Sequence, residues 1–400
     1  TVVVAGLIAH ATPLIGANDR SRWCTAWALV ERGTYRIDET QTKEFDPRPP
    51  FRRSWKTIDR VTIDGHLYSS KPPLLATIVA GIYWLTRQAF GWDLIADNLE
   101  VTRFVLYVVN FLPFVVSLLL TAAIVERYAR NDFGRVFVVA AAGFGTFLSA
   151  FQVVLNNHTV ATTAVVFAIY PALRILADGE RRFVYFALAG FFAGFACTNE
   201  LPAALLGAAL FVMLVVKAPK QTLAAFVPAA VVPLAALVYT NYLAVGMWKP
   251  SYALYGTAAY TENVDGSETY WADPVGIHKG GDSPLVYLLH CTFGHPGIFS
   301  LSPIFLLSIG GWMQLKREKE SPLRSMLWLG LGLTPAVLGF YLTRTENYNY
   351  GGMTAGLRWA FWLIPFWLIA VIPVFERYGD CWRYRTLAAV FLLISAFSAA

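Results

Sequence analysis

Apolar runs close to the length of a bilayer crossing recur along the whole chain, at 1–16, 74–90, 101–125, 136–154, 159–177, 183–198, 201–216, 222–245, 298–313, 325–343, 359–375 and 386–400. A helix needs about 20 predominantly apolar residues to cross the hydrocarbon core. Within such a run only a helix satisfies its own backbone N–H and C=O groups in lipid. Of the 400 residues, 56% are hydrophobic, 15% aromatic and 14% charged, which is more apolar surface than a soluble fold could hide. The expected fold is therefore all-α: a polytopic transmembrane helical bundle of about eleven spans, with a juxtamembrane helix and two sizeable extracytoplasmic loops. The chain starts and ends inside apolar runs, so both ends read as trimmed and no cleavable signal can be judged.

The formal net charge of +6 sits in short loops, which fits membrane orientation better than nucleic-acid binding. Arg127, Arg130 and Arg135 form one cluster; Arg181 and Arg182, Lys217 and Lys220, Lys316 to Arg324, and Arg377 to Arg385 form the next four, each following two apolar runs. The positive-inside rule makes all five loops cytoplasmic. The loops near 155–158, 198–201, 246–297 and 344–358 then face outward, and 246–297 is acidic. The first loop, 17–73, carries eleven Lys or Arg against eight Asp or Glu, which alone would favour the cytoplasm, as would a 74–90 segment that crosses, but the loop is too long for the rule to bind. Placing it outside gathers every polar motif on one face, so the expected localisation is the inner (plasma) membrane, multi-pass, with the site extracytoplasmic. The 74–90 segment then dips into the outer leaflet, and Arg87 and Gln88 late in it suit that placement. Cys24, Cys197, Cys291 and Cys381 show no paired spacing, which argues against a zinc site or a disulfide scaffold.

Two stretches of the first region carry chemistry. In "GANDRSRWCTAWALVERGTYRID" (16–38), residues 21–32 read as a helix with Trp23, Trp27 and Val30 on one side, and Asp19 lies at or just before its start. There it is either a helix N-cap or a site acid. In "GHLYSSKPPLLATIVAGIYWL" (65–85), Pro72 and Pro73 force a helix to begin at about residue 73. Its unpaired N–H groups, with Lys71, Ser69 and Ser70 beside them, form a cradle for a phosphate at membrane level; the plainer reading is a lysine snorkelling beside a proline helix start. Further on, Asn156, Asn157 and His158 meet a span at one outward loop, and Asn199 and Glu200 occupy the next, where Glu200 either faces a wet cavity or, more in keeping with its position, caps its helix. His290 and His295 precede another helix start. The last outward loop holds Arg344, Glu346, Asn347, Tyr348, Asn349, Tyr350 and Arg358, a mixture suited to a sugar or headgroup pocket. No phosphate-binding glycine loop, dinucleotide fingerprint, hydrolase elbow or His-x-x-x-His pair is present.

With these motifs the chain resembles the GT-C superfamily of multi-pass membrane glycosyltransferases, in the branch of the aminoarabinose transferases and protein O-mannosyltransferases. That family carries Asp-Glu-x-Arg-Tyr after the first span and Tyr-Phe-Glu-Lys-Pro-Pro-Leu before a juxtamembrane helix. Here these read "DRSRW" (19–23) and "YSSKPPL" (68–74), so Arg20 and Ser70 stand where the family has acids. The resemblance is tight over 17–125 and topological beyond. It implies one GT-C-like transmembrane domain over 1–400, with 17–100 as a first extracytoplasmic loop bearing juxtamembrane helices and 246–297 as a second. It further implies transfer, with inversion, of a sugar from a polyprenyl-phosphate donor to a hydroxyl of an envelope lipid, glycan or protein. Asp19 would be the general base. Lys71, Arg22, Arg20, Arg344 and Arg358 would hold the donor phosphate. Tyr68, Asn157, His158, Glu200, His295, Glu346, Asn347 and Tyr350 would line the substrate. The expected partners are the lipid donor, membrane lipids and the envelope acceptor; no cofactor is implied, and a divalent metal is left open by the two replaced acids. A flippase or transporter of an anionic lipid, or a ligase using a pyrophosphate-linked donor, could use the same cations.

Overall fold

The structure, a computed structural model, describes residues 1–12, 14, 16–46, 53–345 and 356–399. Most of them are helical. Five helices are long and apolar enough to cross a membrane: Asn98–Tyr128, Asn157–Leu176, Pro219–Val245, Arg324–Leu342 and Arg358–Tyr378. Phe183–Asn199 and Leu201–Lys217 are shorter apolar helices. The expected runs at 1–16, 136–154 and 298–313 are each broken. Helix Val2–His10 stops at His10, Asp132–Phe144 stops before Gly145, and Pro303 falls between Ile298–Leu301 and Phe305–Met313. The long helices among the described residues therefore number fewer than the about eleven spans anticipated from hydropathy.

Burial sorts the long helices. Arg358–Tyr378 is 89% buried over its apolar window and Asn157–Leu176 is 78%, whereas Pro219–Val245 is only 17%. The first two are the centre of the bundle. The third exposes Val231, Val232, Val238 and Leu243, a face that requires lipid, and the protein is an integral membrane protein. Helix association in lipid rests on close packing, since lipid tails are as apolar as leucine. Phe183–Asn199 meets Pro219–Val245 at Gly190 and Gly194, where an added β-carbon would run into the backbone of Phe226 and Ala230 respectively.

The first loop corrects the all-α expectation. Helices Ala17–Arg32 and Pro73–Phe90 pack together, and Pro73 occupies the first helical position, where its missing N–H costs nothing. Between them lie two small antiparallel pairs, Glu44–Asp46 with Arg53–Ser54 and Arg60–Ile63 with His66–Ser69. The second hairpin turns at Asp64 and Gly65, whose φ angles are 49° and 74°. Two consecutive left-handed residues make the turn whose twist matches a hairpin, and Asp-Gly is a favoured sequence for it. Glu31 then ties the two helices together: it accepts from the Tyr83 hydroxyl at 2.6 Å and pairs with Arg87 at 2.9 Å.

Candidate active site

Hairpin register decides which side chains meet. Arg60 pairs with Ser69 and Val61 with Tyr68, so the next rung out sets Asp59 against Ser70. The Ser70 N–H donates to the Asp59 carbonyl at 3.2 Å. One residue later the chain reaches Lys71, whose Nζ stands 3.2 Å from Asp59 Oδ2. The Ser21 hydroxyl clamps this end of the hairpin to the Ala17–Arg32 helix, bonding the Asp59 carbonyl and the Ser69 hydroxyl at 2.6 Å each. The next residue on that helix, Arg22, is thereby carried to the same place.

Arg22 is 2% exposed. It donates to the Asn18 carbonyl at 3.1 Å, to the Asn18 side chain, and through Nη2 to Asn157 Oδ1 at 2.5 Å. Its Nε is buried without a hydrogen-bond partner among the described residues. Burial pulls the guanidinium down to about 10, against the charges of Asp19 and Asp59. Lys71 is also pulled below its ordinary range by burial, against the attraction of Asp59 and with the repulsion of Arg22 and Arg358.

Asn157 opens the Asn157–Leu176 helix and gives its Nδ2 to the Asn199 carbonyl and to Glu200 Oε1, both at 2.8 Å. Glu200 also binds His158 Nδ1. The expected helix-capping role of Glu200 is thus replaced by a cross-helix one: its side chain caps neither flanking helix and turns to the two residues at the start of the central span. Burial pushes its carboxyl up to about 8, opposed by the charges of Arg358 and Arg22 and the Asn157 bond. Arg358, at the start of the other central helix, is coupled electrostatically to Asp59, Glu200, Arg22 and Lys71, and its Nε too is buried and unpaired among the described residues.

Loop 246–297 forms a roof. Trp271 Nε1 donates to the Ile58 carbonyl at 2.8 Å, Arg60 Nη2 to Asn263 Oδ1 at 2.8 Å, and the Thr62 hydroxyl to the Glu262 carbonyl at 2.8 Å. Tyr260 packs with Val61 and Tyr68 in a small core of its own. Tyr68, 9% exposed, accepts from Arg36 Nε at 3.4 Å. His278, held by the Tyr270 hydroxyl at 2.7 Å, feels the charges of Asp59 and Arg358.

Asp19 lies three residues before Arg22 on the same helix, within reach of its charge. It lies in the first turn of a helix that begins at Ala17, and its side chain caps no end of that helix. It is 1% exposed and accepts from the Leu14 N–H at 2.8 Å, Trp23 Nε1 at 2.7 Å and the Leu155 N–H at 3.2 Å. Burial pushes its carboxyl up to about 6, with those bonds and Arg22 pulling the other way.

The structure therefore brings together Asp19, Arg22, Lys71, Asn157, His158, Glu200 and Arg358 from the expected set, Asp19 and Arg358 through their charges on Arg22. Arg20 is elsewhere: two residues before Arg22 it leaves the opposite side of the helix and donates to the carbonyls of Ser54 and Lys56 at 3.0 and 2.8 Å. Arg344 is exposed at the end of Arg324–Leu342, over the Phe340 ring. His295 is exposed. Glu346, Asn347 and Tyr350 lie outside the described residues. Asp59, Tyr260 and His278 were missed by motif reading; the Asp64-Gly65 turn was the signal for Asp59, since it fixes the register that sets this acid beside Lys71. Among the described residues no group of three or more His, Cys, Asp or Glu side chains is placed to hold a metal ion.

No protein-family model matches the sequence, and no curated protein matches it. Among solved structures, ArnT of Cupriavidus metallidurans, an aminoarabinose transferase, matches 96% of this chain at 12% identity with a TM-score of 0.55. The chain spans 60% of that protein's length. The oligosaccharyltransferase of Archaeoglobus fulgidus in complex with Zn and sulfate matches 100% of this chain and 52% of its own, at 13% identity and a TM-score of 0.47. The same archaeal enzyme in complex with an inhibitory peptide and a dolichol-phosphate gives 12% identity and a TM-score of 0.46, with 100% of this chain and 54% of that one covered. The likeness to ArnT is one of fold, and it is the GT-C fold that the two first-loop motifs led us to expect.

Proposed function

We propose that this protein is an integral-membrane glycosyltransferase that moves a sugar, with inversion, from a polyprenyl-phosphate-linked donor to a hydroxyl of an envelope lipid, glycan or protein. One observation carries the reading. Three cations from distant parts of the chain, Arg22, Lys71 and Arg358, lie close enough to feel one another's charge at the mouth of the helices, and Arg22 and Arg358 each keep a buried Nε unpaired among the described residues. Buried donors without partners are uncommon and call for a missing acceptor. A lipid-linked phosphate at membrane level supplies such oxygens, and charge-assisted bonds to it are the strong kind.

In this reading the donor phosphate rests on Lys71, Arg22 and Arg358. As the bond from the anomeric carbon to the phosphate breaks, negative charge grows on the leaving oxygens, and the fixed cations stabilise it where water is excluded. A phosphate is already a good leaving group, so no protein acid is needed to protonate it. Asn157, His158 and Glu200 line the sugar side, with Tyr68 and the 246–297 roof above. The positive-inside pattern supports an extracytoplasmic site, because Arg174, Arg182 and Arg377 lie at the far ends of Asn157–Leu176, Phe183–Asn199 and Arg358–Tyr378, helices that start or finish at the site.

The test is direct. Purified full-length protein in detergent is offered tritiated polyprenyl phosphate and polyprenyl pyrophosphate, and then polyprenyl-phosphate-[14C]mannose and -[14C]arabinose with total membranes as acceptor. The expected result is saturable binding of the monophosphate and appearance of label in a product no longer linked to the carrier. Movement of intact lipid across vesicles with no cleavage of its sugar would replace the enzyme by a flippase, and a preference for the pyrophosphate would make it a ligase.

A further inference from the structure

The fold places three carboxylates near the cations, and they differ in what they can still do. Asp19 is enclosed and answers three N–H donors. Glu200 is spoken for by Asn157 and His158, and its side chain is 7% exposed. Asp59 is buried too, but its carboxylate has the fewest partners of the three. Its carboxylate is held only by Lys71, at 3.2 Å, among the described residues, and its side chain keeps 12% exposure. Its main chain, by contrast, is fixed on both sides: the carbonyl takes bonds from Ser70 and Ser21, and the N–H donates to the Thr57 hydroxyl at 3.1 Å. A rigid backbone carrying a carboxylate with a single, exchangeable partner suits a group that changes partners during a reaction.

Resting on the transferase reading above, we infer that Asp59 is the general base toward the acceptor, and that Lys71 holds it in check until the donor phosphate takes that lysine. The charges around it favour this exchange. Asp59 faces Lys71, Arg22 and Arg358, with Tyr260 and His278 above, so its carboxylate sits among the cations assigned to the phosphate. An arriving phosphate carries more oxygens and can engage Lys71 together with the unpaired guanidinium donors. Lys71 then shifts its charge to the phosphate, and the released carboxylate is left facing the sugar.

In the transfer step the acceptor oxygen bonds to the anomeric carbon and its proton passes to an Asp59 carboxylate oxygen. The bond between the anomeric carbon and the phosphate oxygen breaks, and its electron pair leaves with the phosphate. The products are the new glycoside and the sugar-free polyprenyl phosphate, the latter neutralised by Lys71, Arg22 and Arg358. Asp59 gives its proton back to water as the carrier departs and Lys71 returns. Coupling the base to the phosphate in this way withholds it while no donor is bound.

Asp59→Asn separates the two roles because they move in opposite directions. With the anion that competes for Lys71 removed, sugar-free polyprenyl phosphate should bind at least as tightly as in the unaltered protein. Turnover with polyprenyl-phosphate-[14C]mannose or -[14C]arabinose should drop by about 10²-fold or more, the usual size of a lost general base. Asp59→Glu should recover part of the turnover and guards against a misfolded Asn variant. Weaker carrier binding in Asp59→Asn would mean that the acid merely orders Lys71, and would overturn the inference. So would turnover within a few-fold of normal, or an Asp19→Asn variant showing intact binding with lost turnover. An unaltered protein that binds no polyprenyl phosphate defeats the transferase reading itself, a result distinct from any of these.

Discussion

Each end of this helical bundle gathers cations around carboxylates, and the two ends use them in opposite ways. At one end Asp178 collects Arg127 at 2.7 Å, Arg174 at 2.6 Å and the Tyr128 hydroxyl at 2.9 Å; the Arg127 side chain is 48% exposed, those of Arg174 and Asp178 20% and 18%. Those guanidiniums also lie over Tyr128 and Tyr185. At the other end Arg22 is enclosed, and both Arg22 and Arg358 keep a buried Nε without a partner among the described residues. An exposed cation can be answered by water, by a neighbour or by a lipid headgroup, and its pairs add little. A buried donor left unpaired costs the fold free energy, and such a cost is tolerated where a ligand repays it. The charge pattern alone makes the two ends look alike; at one end a carboxylate stands directly against each guanidinium, Asp178 against Arg127 and Arg174, whereas at the other Arg22 and Arg358 have no carboxylate within ion-pair distance among the described residues, and that distinguishes them.

The largest effect expected from this contrast is at Lys71. Lys71→Met keeps the length of the side chain and removes the charge, and should lower turnover by about 10²–10³-fold, the scale of removing one preorganised transition-state contact. Carrier binding should weaken as well, because the same ammonium meets the ground-state phosphate. Arg358→Met should follow in the same direction. If both variants turned over normally in a labelled-donor assay, the buried end would be no more than a structural cluster and the contrast would collapse.

Much of this arrangement could be read in the sequence, and the parts that could not share a cause. Helix positions follow from apolar runs, and the start at Pro73 follows from proline chemistry, so the placing of Lys71 at a helix mouth was legible. Asn157, His158, Glu200 and Arg358 were legible because each interrupts or begins an apolar run, where a polar residue is costly unless it has a task. Asp59 was not, because it is one of many charges in a mixed loop and gains its meaning only from a hairpin register. Arg20 was misplaced for a related reason: neighbours in a motif are not neighbours on a helix, and positions two apart face away from each other. Asp19 matched a motif, yet its hydrogen bonds to Leu14 and Leu155 come from segments on either side of it in the fold, which spacing cannot reveal.

A smaller effect should appear at Glu200, where the buried end leaves a mark on pH dependence. Its carboxyl is raised from an ordinary value of 4.5 to about 8 by burial, with Arg358 and Arg22 nearby, and with Asn157 and His158 in contact. The folded state thus binds a proton more tightly than the unfolded chain. Its stabilising contribution is complete below about 4.5 and is lost as pH rises toward about 8. Thermal midpoints measured in detergent across that window should fall with rising pH, and Glu200→Gln should flatten that part of the curve. An unchanged slope in the variant would show that Glu200 is as well solvated as the acids of the exposed end.

The smallest effect belongs to that exposed end, and its smallness is the point. Asp178→Asn removes the charge that two arginines share, so pairwise counting would make it a severe change. Water remains to answer Arg127, whose side chain is 48% exposed and whose pair therefore contributes little, and the Tyr185 and Tyr128 rings remain beneath Arg174 and Arg127. The thermal midpoint should move by no more than about 2–4 °C, and turnover should stay within about twofold of normal, because Asp178 meets no group of the candidate site. A large loss of turnover in this variant, with the fold intact by size-exclusion chromatography, would mean that the two ends are coupled through the central helices Asn157–Leu176 and Arg358–Tyr378. The division between a solvated end that orients the bundle and a buried end that binds would then have to be given up.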